Sequence, residues 1–129
     1  MTDPIADMLI RIKNGYSSRK QVVVLPWSRT KESLAKVLVK NKYLDSASVK
    51  EDSGKKTLVL DLRYEDKRPA ISDLRRVSTP SLRVYVGKKQ IPRVLGGLGM
   101  AIISTPLGLM TDKQAKKSNI GGEVWCEIW

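Results

Sequence analysis

The chain has 129 residues, enough for one domain or two small ones, and carries 24 Lys plus Arg against 13 Asp plus Glu, a formal net charge of +11. It has no histidine and a single cysteine, Cys126. This excludes Ser-His-Asp and Cys-His catalysis, histidine metal ligation, an internal disulfide framework and a four-cysteine zinc site.

Asp3-Pro4 opens a helix, with a capping side chain followed by proline at the first helical position. Ile5, Met8, Leu9, Ile12 and Tyr16 form one apolar stripe at helical spacing, and Asn14-Gly15 and Ser17-Ser18 are expected to end it. Gln21 to Leu25 is a β-branched strand closed by Pro26. Ser28 caps a second helix, lined by Leu34, Val37, Leu38 and Asn41 and decorated by Lys31, Lys36, Lys40 and Lys42. Strands at 47–50 and 57–64 flank the turn Asp52-Ser53-Gly54, with Leu58, Leu60, Leu62 and Tyr64 alternating against Val59, Asp61 and Arg63. The charged, proline-containing stretch 65–69 marks a boundary, giving an α-β-α-β-β domain over 1–65 and a mostly β domain over 66–129.

In the second half, strands are expected at 71–77, carrying Arg75-Arg76, and at 82–86. Leu82, Val84 and Val86 should face one way and Arg83 and Tyr85 the other. A helical turn is expected at 90–95, a strand at 100–104 and a short helix over 113–118, capped by Thr111-Asp112. In a final strand at 123–129, Val124, Cys126 and Ile128 are expected on one face, and Glu123, Trp125, Glu127 and Trp129 on the other. The whole is an α+β protein.

A basic excess of this size points to a polyanion. No apolar run approaches the roughly 20 residues of a membrane-spanning helix, and Met1-Thr2-Asp3-Pro4 is not a signal peptide opening. A reduced, cytoplasmic, non-enzymatic nucleic-acid binder is therefore expected, without cofactor or metal. The stretch 67–93 is the most one-sided, with eight basic residues against Asp73. The glycines of Gly96-Gly97-Leu98-Gly99 lack the Gly-Lys-Ser/Thr of a phosphate loop and read as a tight connection. Ser104-Thr105-Pro106-Leu107-Gly108 is a turn whose hydroxyls can address base edges and phosphates, although the same residues make ordinary turns. Tyr85 beside Arg83 suits stacking on a base or ribose, and equally a surface tyrosine over a sheet edge. The indoles of Trp125 and Trp129 suit base stacking or, more commonly, packing on a neighbouring element or a partner protein. The pairs Asp3/Asp7 and Asp112/Glu123 can be drawn as catalytic dyads. Asp3 and Asp112 are better read as helix caps, and Asp7 as a complement to the helix dipole.

Five strings, in order along the chain, resemble the bacterial form of small-subunit ribosomal protein eight: MTDPIADML at 1–9, LRVYVGK at 82–88, IPRVLGGLG at 91–99, Met110-Thr111-Asp112 and Gly121-Gly122-Glu123-Val124. The resemblance implies two small packed α/β domains. It implies direct binding to a helix in the central domain of 16S rRNA early in assembly, beside neighbouring small-subunit proteins, and in some bacteria repression of the protein's own operon through a similar mRNA hairpin. The family's main RNA contact is a Ser-Thr-Ser-Lys/Arg-Gly loop. Ser104, Thr105 and Gly108 match it, and Pro106 and Leu107 replace a hydroxyl and a cation. Tyr85, Glu123 and Cys126 are kept, as are Asp3, Pro4, Ala6, Asp7, Arg11 and Asn14, with Lys13 where arginine is common. Ser28-Arg29 stands at the pair opening the second helix. The expected RNA-binding residues are thus Ser104, Thr105, Pro106, Gly108, Tyr85, Glu123, Arg75, Arg76, Asp3, Pro4, Lys13, Asn14, Ser28, Arg29 and Lys31. The alternative is another basic RNA-binding adaptor or an RNA chaperone.

Overall fold

In the computed structural model, which describes residues 3–129, helices and antiparallel strands make an α+β fold. The described residues divide into two units, Pro4–Ile71 and Asp3 with Ser72–Trp129. The division falls after Ile71, beyond the charged stretch 65–69, which forms a small hairpin inside the first unit. Among the described residues, no helix is long and apolar enough to cross a membrane.

The first unit runs α1 (Pro4–Ser17), β1 (Val22–Pro26), α2 (Arg29–Lys40), β2 (Leu44–Asp52), β3 (Lys55–Leu62), β4 (Tyr64–Glu65) and β5 (Arg68–Pro69). Strands β1, β3 and β2 form an antiparallel sheet in that spatial order. Leu25 pairs with Leu58, and Val23 with Leu60, so one sheet face presents an apolar row. Those four side chains are buried with Leu62, together with Ile5, Met8, Leu9, Ile12 and Tyr16 of α1 and Leu34, Ala35 and Leu38 of α2. Each such aliphatic side chain contributes about 1.5–3 kcal/mol when fully buried.

Two expectations change. Of the two expected stops, Asn14-Gly15 does not end α1, which continues to Ser17 and ends at the second, Ser17-Ser18. Gly15 is buried within it, and a Cβ there would stand 2.6 Å from Val23 Cγ2 and 3.1 Å from Leu62 Cδ1, so this glycine allows close helix–sheet approach. On α2, the buried side is Lys31, Leu34, Ala35 and Leu38, while Asn41 is the exposed C-cap. Ser28 caps the helix as expected, its hydroxyl accepting from Lys31 N at 3.2 Å.

The second unit contains β6 (Leu74–Arg76), β7 (Tyr85–Val86), a 3₁₀ turn (Val94–Gly97), β8 (Met100–Thr105), β9 (Gly108–Thr111), α3 (Asp112–Lys117) and β10 (Gly122–Ile128). The sheet order is β6-β10-β8-β9, with β7 also on β10. One core gathers Ile91, Val94, Ala101, Ile103, Ala115 and Val124, with Val86, Met110 and Trp129 packed against it. Thr111 caps α3 in a reciprocal capping box with Gln114.

Here the local pattern misleads in three places. The strand expected at 82–86 shortens to Tyr85–Val86, because Thr79 and Leu82 pair in a turn and leave Leu82 69% exposed. Strand β9 follows directly after a two-residue turn, too short for its own periodic signal. In β10 the register shifts: Val124 pairs with Ile103, but Cys126 pairs with Ile102. Trp125 is the extra residue of a β-bulge. Val124 and Cys126 therefore lie over opposite faces of β8, and Glu123, opposite Ser104, shares the Cys126 face. Simple alternation along 123–129 fails for that reason.

Candidate nucleic-acid interface

The β8–β9 connection is a tight hairpin with Pro106-Leu107 at its tip, closed by the pair Thr105 and Gly108. Thr105 holds it from inside: Oγ1 donates to Gly108 O at 2.7 Å and accepts from Leu107 N at 3.1 Å. Gly108 has φ +116, a conformation side chains rarely adopt, and open space lies over its Cα. Pro106 and Leu107 project outward, Leu107 75% exposed.

Beside this turn, three expected residues lie in one row across the sheet. Glu123 of β10 sits opposite Tyr85 of β7 on one side and Ser104 of β8 on the other. Its carboxylate is a hub. Oε2 accepts from Ser78 Oγ and from Arg83 Nη1 at 3.0 Å, and Oε1 accepts from Trp125 Nε1 at 3.2 Å. Ser78 is fully buried, and its hydroxyl in turn accepts from Val84 N at 3.1 Å. Burial alone would raise the Glu123 carboxyl, but the hydrogen bonds from Ser78, Arg83 and Trp125 outweigh it and hold the group below the usual carboxylate range. The network fixes Arg83 two residues from Tyr85, a residue 70% exposed. An exposed ring beside a tethered guanidinium offers two planar stacking surfaces, and the adjacent turn offers hydroxyl and backbone groups.

The other expected residues divide by what they already hold. Arg76 has three donors committed: Nε and Nη2 to Asp3, at 3.1 and 3.3 Å, and Nη1 to Trp125 O at 2.7 Å. Arg75 is exposed and ion-paired with Glu127. Lys31 is buried and donates from Nζ to Pro26 O at 3.2 Å, leaving it little reach toward a partner. Ser28 is engaged as the α2 cap. Pro4, Lys13, Asn14 and Arg29 are exposed on the first unit. Sequence reasoning missed Ser78 and the hub role of Glu123. No local signal marks either, because the bonds that tie Glu123 to Ser78 and to Arg83 span 45 and 40 residues of the chain.

Cys126 is buried, and burial pushes its thiol up to about 12, so it is inert at neutral pH. Among the described residues, no group of three or more metal-ligating side chains converges.

The ribosomal protein S8 family profile matches residues 3–129. Full-length relatives are similarly named. A "Small ribosomal subunit protein uS8" from Cupriavidus metallidurans is 51% identical over 128 residues, covering 99% of this chain and 98% of the relative. One of the same name from Azoarcus is also 51% identical over 128 residues with the same coverage. Another, from Persephonella marina, is 49% identical over 135 residues, covering 100% of this chain and 99% of its own. The family is one of ribosomal structural proteins, not enzymes, and its place of work is the ribosome, in the bacterial cytoplasm. On a match spanning nearly every residue, the chain belongs to the ribosomal protein S8 family.

Proposed function

We propose that the protein is a structural constituent of the small ribosomal subunit that binds a helix in the central domain of 16S rRNA directly and helps it assemble. The observation that carries the reading is the row Tyr85–Glu123–Ser104 beside the Thr105–Gly108 turn, in a chain of net charge +11. The exposed Tyr85 ring and the Arg83 guanidinium stack on unpaired bases or ribose, while Ser104 and the turn backbone address base edges and 2′-hydroxyls. Cations elsewhere supply affinity without sequence information. Neighbouring small-subunit proteins are the expected protein partners. An mRNA hairpin from the protein's own operon that reproduces the rRNA fold would occupy the same surface and repress translation.

Footprinting the purified protein on small-subunit rRNA tests the reading. One protected helix in the central domain is expected. Scattered weak protection would favour an RNA chaperone instead. Ser104→Ala should weaken binding to the protected helix several-fold and leave binding to random RNA unchanged. Equal loss on both RNAs would remove the turn as a reader.

A further inference from the structure

We propose that one end of the Pro4–Ile71 unit, built from residues 16–21, 41–45 and 62–69, is a second docking surface for RNA phosphodiester backbone. The proposal rests on the RNA-binding reading above but uses other residues.

The starting point is backbone strain. The three α-helices of the described residues end in the same motif, in which the residue two beyond the last turn bonds back across it and the residue before it is left-handed. At the end of α3, Ile120 N donates to Ala115 O at 3.0 Å and the left-handed residue is Asn119, φ +59. Asparagine, with glycine, tolerates that conformation best. At the end of α1, Lys20 N donates to Gly15 O at 2.9 Å, and the left-handed residue is Arg19, φ +57. At the end of α2, Tyr43 N donates to Leu38 O at 2.9 Å, and it is Lys42, φ +65. The β4–β5 hairpin turn adds Asp66 and Lys67, φ +50 and +65, where Asn-Gly is the favoured pair. Three cations thus occupy positions their own backbones disfavour. Complementing a helix dipole explains a cation near a helix end. It explains neither the left-handed placement nor Lys67, which follows no helix.

The three segments meet. The Tyr16 hydroxyl donates to Tyr43 O at 2.6 Å and accepts from Arg63 N at 3.0 Å, joining both helix ends to the chain just beyond β3. The Arg19 guanidinium donates to Lys67 O and lies 5.9 Å from the Tyr64 ring centroid. Arg19 and Lys67 line a cleft of about 550 Å³ with Gln21 and Tyr64. Lys42 and Arg68 line a second of about 520 Å³. Three carboxylates lie here: Asp45 in the first cleft and Glu65 in the second are both paired with Arg63, at 3.4 and 2.7 Å, and Asp66, also in the second, sits at the tip of the β4–β5 turn, so cations outnumber the uncommitted acid. Among the described residues, none of Arg19, Lys42, Lys67 and Arg68 forms an ion pair. A strained residue retained at a surface points to use. Cations spread over three chain segments, rather than converging on one point, match a run of phosphates better than a single carboxylate.

Two measurements on the complex with small-subunit rRNA test this. First, Lys67→Cys and Leu107→Cys each receive a tethered iron–EDTA group. Cys126 is buried with its thiol pushed up to about 12, so the new thiol alone is labelled. RNA backbone cleavage from both positions, at different nucleotides, is expected. Second, the double variant Lys42→Gly, Lys67→Gly should keep or raise the melting temperature, because glycine relieves both left-handed positions. It should nevertheless bind the rRNA more weakly, with a salt slope shallower by about two. Cleavage from position 107 but not 67, or an unchanged slope in the glycine variant, overturns the second surface and leaves the first. Cleavage from neither position overturns the RNA-binding reading as a whole. Cleavage from 67 alone supports this surface and removes the turn.

Discussion

Leu107 stands at the hairpin tip, and its side chain touches solvent rather than a core. Lysine there gives up no packing. Leu107→Lys is therefore expected to tighten rRNA binding and steepen the salt slope by about one, since each phosphate contact releases close to one counterion. Filter binding at several salt concentrations decides it. The neighbouring arginines Arg75 and Arg76, alike in sequence, separate in structure. The Arg76 side chain is 13% exposed and its Asp3 partner 18%, so Arg76→Ala removes the cation facing a largely buried carboxylate, while the Trp125 carbonyl still accepts from Val77 N. A loss of about 3 kcal/mol in denaturant stability is expected, against under about 1 kcal/mol for Arg75→Ala, whose side chain is 65% exposed. Glu123 adds a pH signature. Its folded-state carboxyl lies below the ordinary 4.5, so its stabilisation is complete above that value and is lost as pH falls through the depressed one. Urea titrations at pH 7 and below 4 should show an acid loss that Glu123→Gln reduces.

At the scale of elements, what could be read from the sequence was what depends on near neighbours. The 3.6-residue stripe from Ile5 to Tyr16, the caps Ser28 and Thr111, and the alternation Leu58, Leu60, Leu62 all reappear in the fold. Features set by distant partners could not be read locally. The bulge at Trp125 exists only relative to Ile102 and Ile103 across the sheet, and it changes which side Glu123 faces. The turn residues Ser104, Thr105 and Gly108 were legible as a motif, but the Ser78–Glu123–Arg83 network beside them was not. Gly15 is the sharpest case. Glycine normally weakens a helix by about 1 kcal/mol relative to alanine, so Asn14-Gly15 reads as a stop. Val23 and Leu62 reverse that reading by packing where a Cβ would stand. Because valine is stiff at χ1, Gly15→Ala should destabilise by about 1 kcal/mol net, overpacking outweighing propensity. In a Val23→Ala background the same substitution should become neutral or stabilising. A double-mutant cycle in urea measures the coupling.

For the whole molecule, the question is how much of the charge of +11 reaches a partner. Of the eight cations between 67 and 93, Arg75, Arg76 and Arg83 are tied to Glu127, Asp3 and Glu123, leaving Lys67, Arg68, Lys88, Lys89 and Arg93 outside any ion pair among the described residues. Paired arginines shape the protein's own surface, whereas only cations that contact phosphate release counterions. If about six phosphates are neutralised across both units, affinity for small-subunit rRNA should fall roughly 10³-fold between 50 and 200 mM salt. The same measurement separates two origins of affinity. Base stacking on Tyr85 is nearly independent of salt, so Tyr85→Ala should lower affinity several-fold at every salt concentration without changing the slope. The Lys42→Gly, Lys67→Gly variant should change the slope itself. A slope near zero in the unmodified protein would mean that its positive charge serves solubility rather than RNA.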